Sequence, residues 1–404
     1  MKILDNTFDK MFSFEALVYA EHCASRGKRY RQDVVEFHRN LDANLFELQA
    51  EVMSGNFHFG PYRRHWVNVP KSRTVMALPY RDRVIQWAIY NVLNPFYDAL
   101  FIEDSYACRA GKCAGRAVIA PVIQKTRDGK IAMGTVSAAS RVYRWVNHFS
   151  RSSKRWYCLK IDISKFFYRI DHKRLYNLLC TRILDVRLRA LLWDAIEGNG
   201  EKFGLPPFTC AEDLPFDEWS SDVGIPIGNL TSQLFANIWL NQLDQYCKHT
   251  LRVHYYIRYM DDALIFVDSK SASRSMQEAI RTFLKYELLL DLNNKTCIFP
   301  VGKRRLEFVG YVIGANSVRI RKSSARRIKR AVKSIFRKHS AGILTREEVD
   351  RRVASYRGVI SGCDTGNLRR RLNEIYIAQR FTATARQSDR AIRPPARNNQ
   401  AAGI

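Results

Sequence analysis

The sequence predicts an α+β fold, and three observations carry that expectation. Near the N-terminus, "VVEFHRNLDANLFELQAEVMSG" repeats apolar residues at helical spacing. From His254 to Ser269, "HYYIRYMDDALIFVDS" reads instead as two short strands around a turn, because β-branched and aromatic residues flank it. Between them, "WYCLKIDISKFFYRIDHKRLYNLLC" is a strand running into a helix. Short strands joined by a tight turn make an antiparallel sheet, and helices are needed to cover it.

The elements follow in order. Residues 8 to about 55 read as helical, with a stop at Gly55. "PYRRHWVNVPKSRTVMALPYRDRVIQWAIYNVL" is a strand, a basic turn, a second strand and a helix. "RDGKIAMGTVSAASRVYRWVNHFSRSSKRW", about 127–155, lacks clear periodicity and reads as an insertion or a mobile loop. Residues 199–224 hold three prolines and a cluster of acids, concentrated at 211–222, and read as an exposed loop. "SQLFANIWLNQLDQYCKHTL" is a helix leading to the hairpin. From Ser323, "SSARRIKRAVKSIFRK" places Ile328, Val332, Ile335 and Phe336 on one helical face and bases on the other. The last stretch, 385–404, is polar and proline-bearing and reads as disordered.

Composition narrows the function. A chain of 404 residues, 46% of them hydrophobic, can build two or three subdomains with a real core. A formal net charge of +27 points to a polyanionic partner. From Lys303 onward, 25 Lys plus Arg face 7 Asp plus Glu, a net of +18, so two-thirds of the excess sits in the last quarter. No apolar run approaches the length of a spanning helix, and "MKILDNTFDKMF" does not resemble a secretory signal. Nine cysteines without a C-x-x-C pair suggest free thiols in a reducing cytoplasm. Cys108 and Cys113 have no His or Cys cluster beside them, which argues against zinc.

Asp261 and Asp262 sit together at the hairpin turn. Asp favours turns, but two-residue hairpins prefer Asn-Gly or Asp-Gly. Two like charges about 4 Å apart repel by roughly 1 kcal/mol in water, and a divalent cation removes that penalty. Asp162, ending the strand "WYCLKI", is a third carboxylate that can converge with them; its bland reading is a helix N-cap in "DISK". Three carboxylates around two Mg²⁺ ions about 4 Å apart form the clamp used in nucleotidyl transfer. In "PKSR", Lys71 and Arg73 offer counter-charges for phosphates, or are ordinary solvated loop bases.

"YMDD" in a hairpin, "IDISKFF" upstream and "GIPIGNLTSQ" between them resemble the palm motifs of reverse transcriptases, in order and spacing. "PKSR" is similar to the fingers motif, "LNNKTCIF" to the next palm motif with its lysine, and "LEFVGY" to the primer grip. The resemblance covers roughly 55–380. It implies a right-hand polymerase with a helical N-terminal segment (1–55), fingers (56–160), a palm with an antiparallel sheet (161–315) and a basic helical thumb (316–384). It implies Asp162, Asp261 and Asp262 as catalytic metal ligands, with Ile163 beside them, for two Mg²⁺ ions or Mn²⁺ in their place. Lys71, Arg73, Gly228, Gln233 and Lys295 would serve the incoming nucleotide. Phe167 would be the gate against a ribose 2′-hydroxyl; its alternative is a core aromatic. Phe308, Val309, Gly310 and Tyr311 would form the primer grip. Arg326, Arg327, Lys329, Arg330 and Lys333 would grip the template–primer backbone, or be a solvated basic face.

Pro226, Ile227 and Gly228 stand where retroviral and group II intron enzymes usually carry Pro-Gln-Gly. "IGNLTSQLFAN", "RDRVIQWAIYNVLNPFY", "DSYACRAGK", "IRKSSARRIKR" and "SYRGVISGCDTGNLRRRL" resemble instead the enzymes of diversity-generating retroelements and related defence-associated bacterial enzymes. That lineage implies RNA-directed DNA synthesis from dNTPs on a dedicated structured RNA encoded nearby, with an accessory protein or a homo-oligomer. The 127–155 segment and the basic tail favour an anti-phage role; mutagenic copying of a template repeat is the alternative. A scaffold with an inactive polymerase fold is a third reading, opposed by the intact carboxylates and Lys295.

Overall fold

The computed structural model describes residues 2–67, 73–109, 134–209, 214–215, 218–361, 363–364 and 366–375. They divide into two units: residues 2–138 with 152–301, and residues 139–151 with 302 onward.

The first unit begins with four helices, α1 (Phe8–Met11), α2 (Phe14–Ser25), α3 (Gln32–Arg39) and α4 (Leu41–Ser54). Ser13 caps α2 by accepting the Ala16 N–H, and α4 stops at Gly55, whose φ of +78° suits a left-handed cap. Strands β1 (Arg63–Val67) and β2 (Arg73–Ala77) pair antiparallel as a hairpin. Helix α5 (Tyr80–Asp98) packs against α2 and against α9 (Leu230–Gln245). The central sheet has four antiparallel strands: β3 (Tyr157–Asp162), β4 (Tyr255–Tyr259), β5 (Asp262–Val267) and β6 (Cys297–Pro300), in the order β4-β5-β3-β6. Helix α10 (Lys270–Glu287) packs on β3, β5 and β6. All interior residues of β5 are buried, so the sheet is covered on both faces there.

Three expectations change. The helix expected directly after Asp162 is a single 3₁₀ turn at Phe166–Tyr168, followed by α7 (His172–Cys180) and α8 (Val186–Glu197). Lys165 at φ +48° breaks any helix there, and Asp171 caps α7 through the Arg174 N–H. The loop expected to be exposed at 199–224 buries Phe203, Leu205 and Val223. Its ends close on each other, because Gly204 and Ser220 exchange backbone hydrogen bonds of 3.0 and 2.9 Å. A Cβ on Gly204 would lie 1.7 Å from the Val223 carbonyl oxygen, so only glycine permits this approach. Within that loop, residues 210–213 and 216–217 lie outside the described residues. Third, the stretch read as irregular at 127–155 contains helix α6 (Thr135–Ser150). Val142, Trp145, Val146 and Phe149 are buried along it at helical spacing.

The second unit holds most of α6, the three-stranded antiparallel sheet β7 (Leu306–Phe308), β8 (Tyr311–Ile313) and β9 (Val318–Ile320), and helices α11 (Lys322–Ser340) and α12 (Arg346–Ser361). The Asn147 side-chain amide donates to the Ala315 carbonyl at 2.7 Å, tying α6 to the β8–β9 turn. Ile328, Val332, Ile335 and Phe336 are the buried face of α11, as their spacing predicts. They pack on Val349, Val353 and Ile360 of α12 and on Leu368 and Leu372 of a helical stretch at 366–375. The tail expected to be disordered, 385–404, lies outside the described residues, and among these no helix is long and apolar enough to cross a membrane.

Candidate active site

Register brings the acidic residues together. Strand β3 pairs with β5 so that Asp162 stands directly opposite Asp262. Directly opposed residues of antiparallel strands point to the same face, with Cβ atoms about 4.5–5.5 Å apart. The Tyr259–Asp262 pair closes the β4–β5 hairpin over a two-residue loop, Met260-Asp261. Asp261 therefore adjoins the pair. Asp162 is the last paired residue of a strand rather than a helix cap, which removes its bland reading. All three acids are half-buried.

The hairpin loop is unusual. Met260, its first residue, has φ of +52°, whereas Asp261 is not in that region. Positive φ at the first position alone is the II′ pattern, which normally takes glycine there. Methionine in that conformation costs roughly 1–3 kcal/mol, and such strain is held only by surrounding contacts.

The end of β3 is pinned from both sides. The Ile163 N–H donates to the Asp261 carbonyl at 3.3 Å, and the Asn293 N–H donates to the Asp162 carbonyl at 2.7 Å. The Thr296 hydroxyl accepts from the Asp162 N–H and donates to the Asp162 carbonyl, both at 3.3 Å. Lys295, exposed and next to Thr296, is thereby held beside the Asp162 strand end. Thr296 has no motif value by itself, and its role is visible only in three dimensions.

Of the other residues expected to serve the nucleotide, Gly228 lies against the β1–β2 hairpin and Arg73 is part of it. Phe167 is half-buried on the 3₁₀ turn, packs against the main core, and its carbonyl accepts from the Ile225 N–H at 2.7 Å. Gly228, at φ +123°, lies against β2: an added Cβ would meet Val75 Cγ1 at 2.6 Å and the Met76 carbonyl oxygen at 2.8 Å. The Met76 N–H donates to the Ile227 carbonyl at 2.8 Å. Gly228 thus permits a close backbone approach. Gln233, half-buried on α9, accepts the Cys108 thiol proton at 3.1 Å. Arg73 opens β2, and Lys71 lies outside the described residues.

In the second unit, Phe308 and Tyr311 pair across a two-residue turn, Val309-Gly310, with φ of +43° and +87°. Both aromatic side chains are buried, and the Arg321 N–H donates to the Gly310 carbonyl at 3.0 Å. On α11, Arg326, Arg327, Arg330 and Lys333 are exposed and Lys329 is half-buried.

Sequence reading missed one cluster behind the hairpin. Arg258 of β4 and Asp244 of α9 form a fully buried ion pair at 2.6 Å, with Tyr256, Asn237 and Ser105 bonded to it. A charge at the centre of the apolar run "YYIRYM" was the available signal, but its partner lies on the preceding helix rather than in the strand.

Among the described residues, no three His, Cys, Asp or Glu side chains are arranged to hold a single ion between them. The donor set nonetheless fits Mg²⁺, which binds through one or two carboxylates plus substrate phosphates and water rather than in an all-protein cage. Opposed like charges also destabilise a strand pair unless a cation lies between them.

The chain is similar to several known proteins. The chain is 29% identical over 210 residues to protein YkfC of Escherichia coli K12, covering 51% of this chain and 46% of that protein. It is 20% identical over 357 residues to the group II intron-encoded protein LtrA of Lactococcus lactis subsp. cremoris, covering 72% of this chain and 52% of LtrA. Against the putative COX1/OXI3 intron 2 protein of Saccharomyces cerevisiae it is 21% identical over 368 residues, covering 73% and 38%. The chain spans about half the length of these relatives or less. Residues 68–313, more than half of the chain, match the family described as reverse transcriptase (RNA-dependent DNA polymerase), whose polymerases generally use divalent metal ions. That stretch runs from the β1–β2 hairpin through the acidic hairpin to β8, and on its extent the chain belongs to the reverse transcriptase family, with the right-hand polymerase fold.

Proposed function

We propose that the protein is an RNA-directed DNA polymerase. The observation that carries this reading is the register placing Asp162 opposite Asp262, with Asp261 in the adjoining turn. Asp162, Asp261 and Asp262 would hold two Mg²⁺ ions, with Mn²⁺ able to replace them, and the Ile163 backbone shapes that strand end. Bound Mg²⁺ supplies charge neutralisation at the α-phosphate and acidifies the attacking 3′-hydroxyl. Lys295 and Arg73 favour the triphosphate by charge, and Lys71 shares that role. Phe167 limits space at the ribose. Residues 56–160 are assigned as fingers, 161–315 as palm and 316–384 as thumb. Phe308 to Tyr311 guide the primer, and Arg326, Arg327, Lys329, Arg330 and Lys333 neutralise backbone phosphates.

The template we propose is a structured RNA, copied into DNA in the bacterial cytoplasm as part of anti-phage defence. The 127–155 segment and the basic tail, both additional to the retroelement pattern, support that role. Mutagenic copying of a template repeat is the second reading, supported by the Pro-Ile-Gly sequence at 226–228.

The test is to purify the protein from its native host beside the Asp261→Ala, Asp262→Ala double variant and sequence the bound nucleic acid. DNA complementary to a bound RNA, present only with the wild type, is the expected result. Errors scattered at adenines would move the role to diversification. Equal DNA in both preparations, or RNA without DNA in either even during phage infection, would sink the polymerase reading in favour of a scaffold.

A further inference from the structure

Arg258 lies in β4, three residues before Asp261, and its side chain is fully buried. Every guanidinium nitrogen has an acceptor. Nε donates to Asp244 Oδ1 and Nη2 to Asp244 Oδ2, both at 2.6 Å. Nη2 also donates to Ser105 Oγ at 3.2 Å, and Nη1 donates to Asn237 Oδ1 and to the Met260 carbonyl, both at 3.3 Å. The Tyr256 hydroxyl donates to Asp244 Oδ1 at 2.7 Å. The main chain is tied as well: the Arg258 N–H donates to the Asp104 carbonyl and the Tyr106 N–H to the Arg258 carbonyl, each at 3.0 Å.

A buried ion pair is a poor means of gaining stability, since well-packed apolar residues of similar volume serve a core as well or better. What this pair supplies is direction. Guanidinium is a planar fork, and two-point attachment to Asp244 leaves its third nitrogen aimed in one direction. It is aimed at the carbonyl of Met260, the residue at φ +52° whose peptide leads into Asp261. Released from that bond, Met260 can relax toward ordinary φ, and the relaxation turns the peptide that orients Asp261.

We propose that Arg258 is a positioning residue for the carboxylate turn: held by Asp244, Asn237 and Ser105, it fixes the strained Met260 peptide so that Asp261 and Asp262 meet Asp162 in metal-binding geometry. The inference rests on the proposed catalytic reading of those three acids.

The full-length chain is compared with Arg258→Lys, which keeps the charge and loses the fork, and with Arg258→Met combined with Asp244→Leu and Tyr256→Phe, which removes the buried charges together. Three quantities are read: the thermal melt, Mn²⁺ binding by electron paramagnetic resonance in the presence of dNTP, and kcat and KM for single-nucleotide addition. The triple variant is expected to melt within a few degrees of wild type, to bind Mn²⁺ about tenfold more weakly, and to lose at least about tenfold in kcat with dNTP KM little changed. Arg258→Lys is expected to show the same direction. A folded variant with Mn²⁺ affinity and kcat within about twofold of wild type would overturn the proposal. Loss of a cooperative melt in both variants would assign the pair to the core alone and would equally overturn it. The Asp261→Ala, Asp262→Ala protein separates the two ideas: if it keeps the Mn²⁺ signal, the carboxylate reading itself fails, whatever Arg258 does.

Discussion

Asp162 and Asp262 occupy positions where two like charges cost stability, since opposed like charges on neighbouring strands destabilise a sheet by roughly 0.2–1 kcal/mol. Replacing one by its neutral isostere is therefore expected to trade the proposed metal binding for stability. Asp162→Asn is expected to raise the melting temperature in chelator-treated buffer while lowering DNA synthesis by at least about 10²-fold. A calorimetric melt beside a primer-extension assay reads both; a lower melting temperature would contradict the cross-strand repulsion. A second acid gives a pH signature. Asp82, in the first turn of α5, is 1% exposed, and burial pushes its pKa up to about 6 despite the Gly60 N–H at 2.7 Å and the nearby Arg81. The folded state thus holds this proton more tightly than the unfolded chain does. The contribution of Asp82 to stability is full below about pH 4 and is lost as pH rises through about 6, a span of about 3 kcal/mol. Asp82→Asn is expected to raise the melting temperature at pH 7.5 and leave it unchanged near pH 4; an equal gain at both would refute the linkage.

Elements were legible where local chemistry decides them. Gly55 ends α4, the acidic hairpin forms where aromatic and β-branched flanks require it, and α11 buries the four residues its spacing selects. They were illegible where a distant partner decides. The period of Val142, Val146 and Phe149 in α6 was hidden by Ser, Arg and Gly around it. The proline-rich 199–224 stretch looked solvated because Gly204 carries no sign of the segment at 220–223 that it meets. For the site, the three acids and Lys295 stood out by motif, whereas Thr296 and Arg258 depend on contacts that no single segment contains. Gly204→Ala tests the closure of that stretch directly. Its Cβ would collide with the Val223 carbonyl, so the variant is expected to lose on the order of 3 kcal/mol in urea unfolding. A loss under about 0.5 kcal/mol would show that the two segments separate freely.

At the scale of the whole molecule, the charge balance bears on the proposed binding of nucleic acid. With a net +27, and +18 of it from Lys303 onward, RNA affinity is expected to fall linearly in log–log terms with salt. Changing Arg326, Arg327, Arg330 and Lys333 together to Gln should reduce that slope by about 0.7–0.9 for each phosphate no longer neutralised, without altering template preference. Filter binding across a salt series reads it, and an unchanged slope would leave those exposed bases as a solvated face. The division of the chain has a different consequence, in time rather than in space. Residues 139–151 belong with a unit whose other described residues begin at 302, about 150 residues later. At 5–20 residues per second, the ribosome delivers those partners roughly 8–30 s after α6 has been made. Throughout that interval the Asn147 amide lacks the Ala315 carbonyl it donates to in the folded protein, so this link of α6 to the β8–β9 turn forms only late in synthesis.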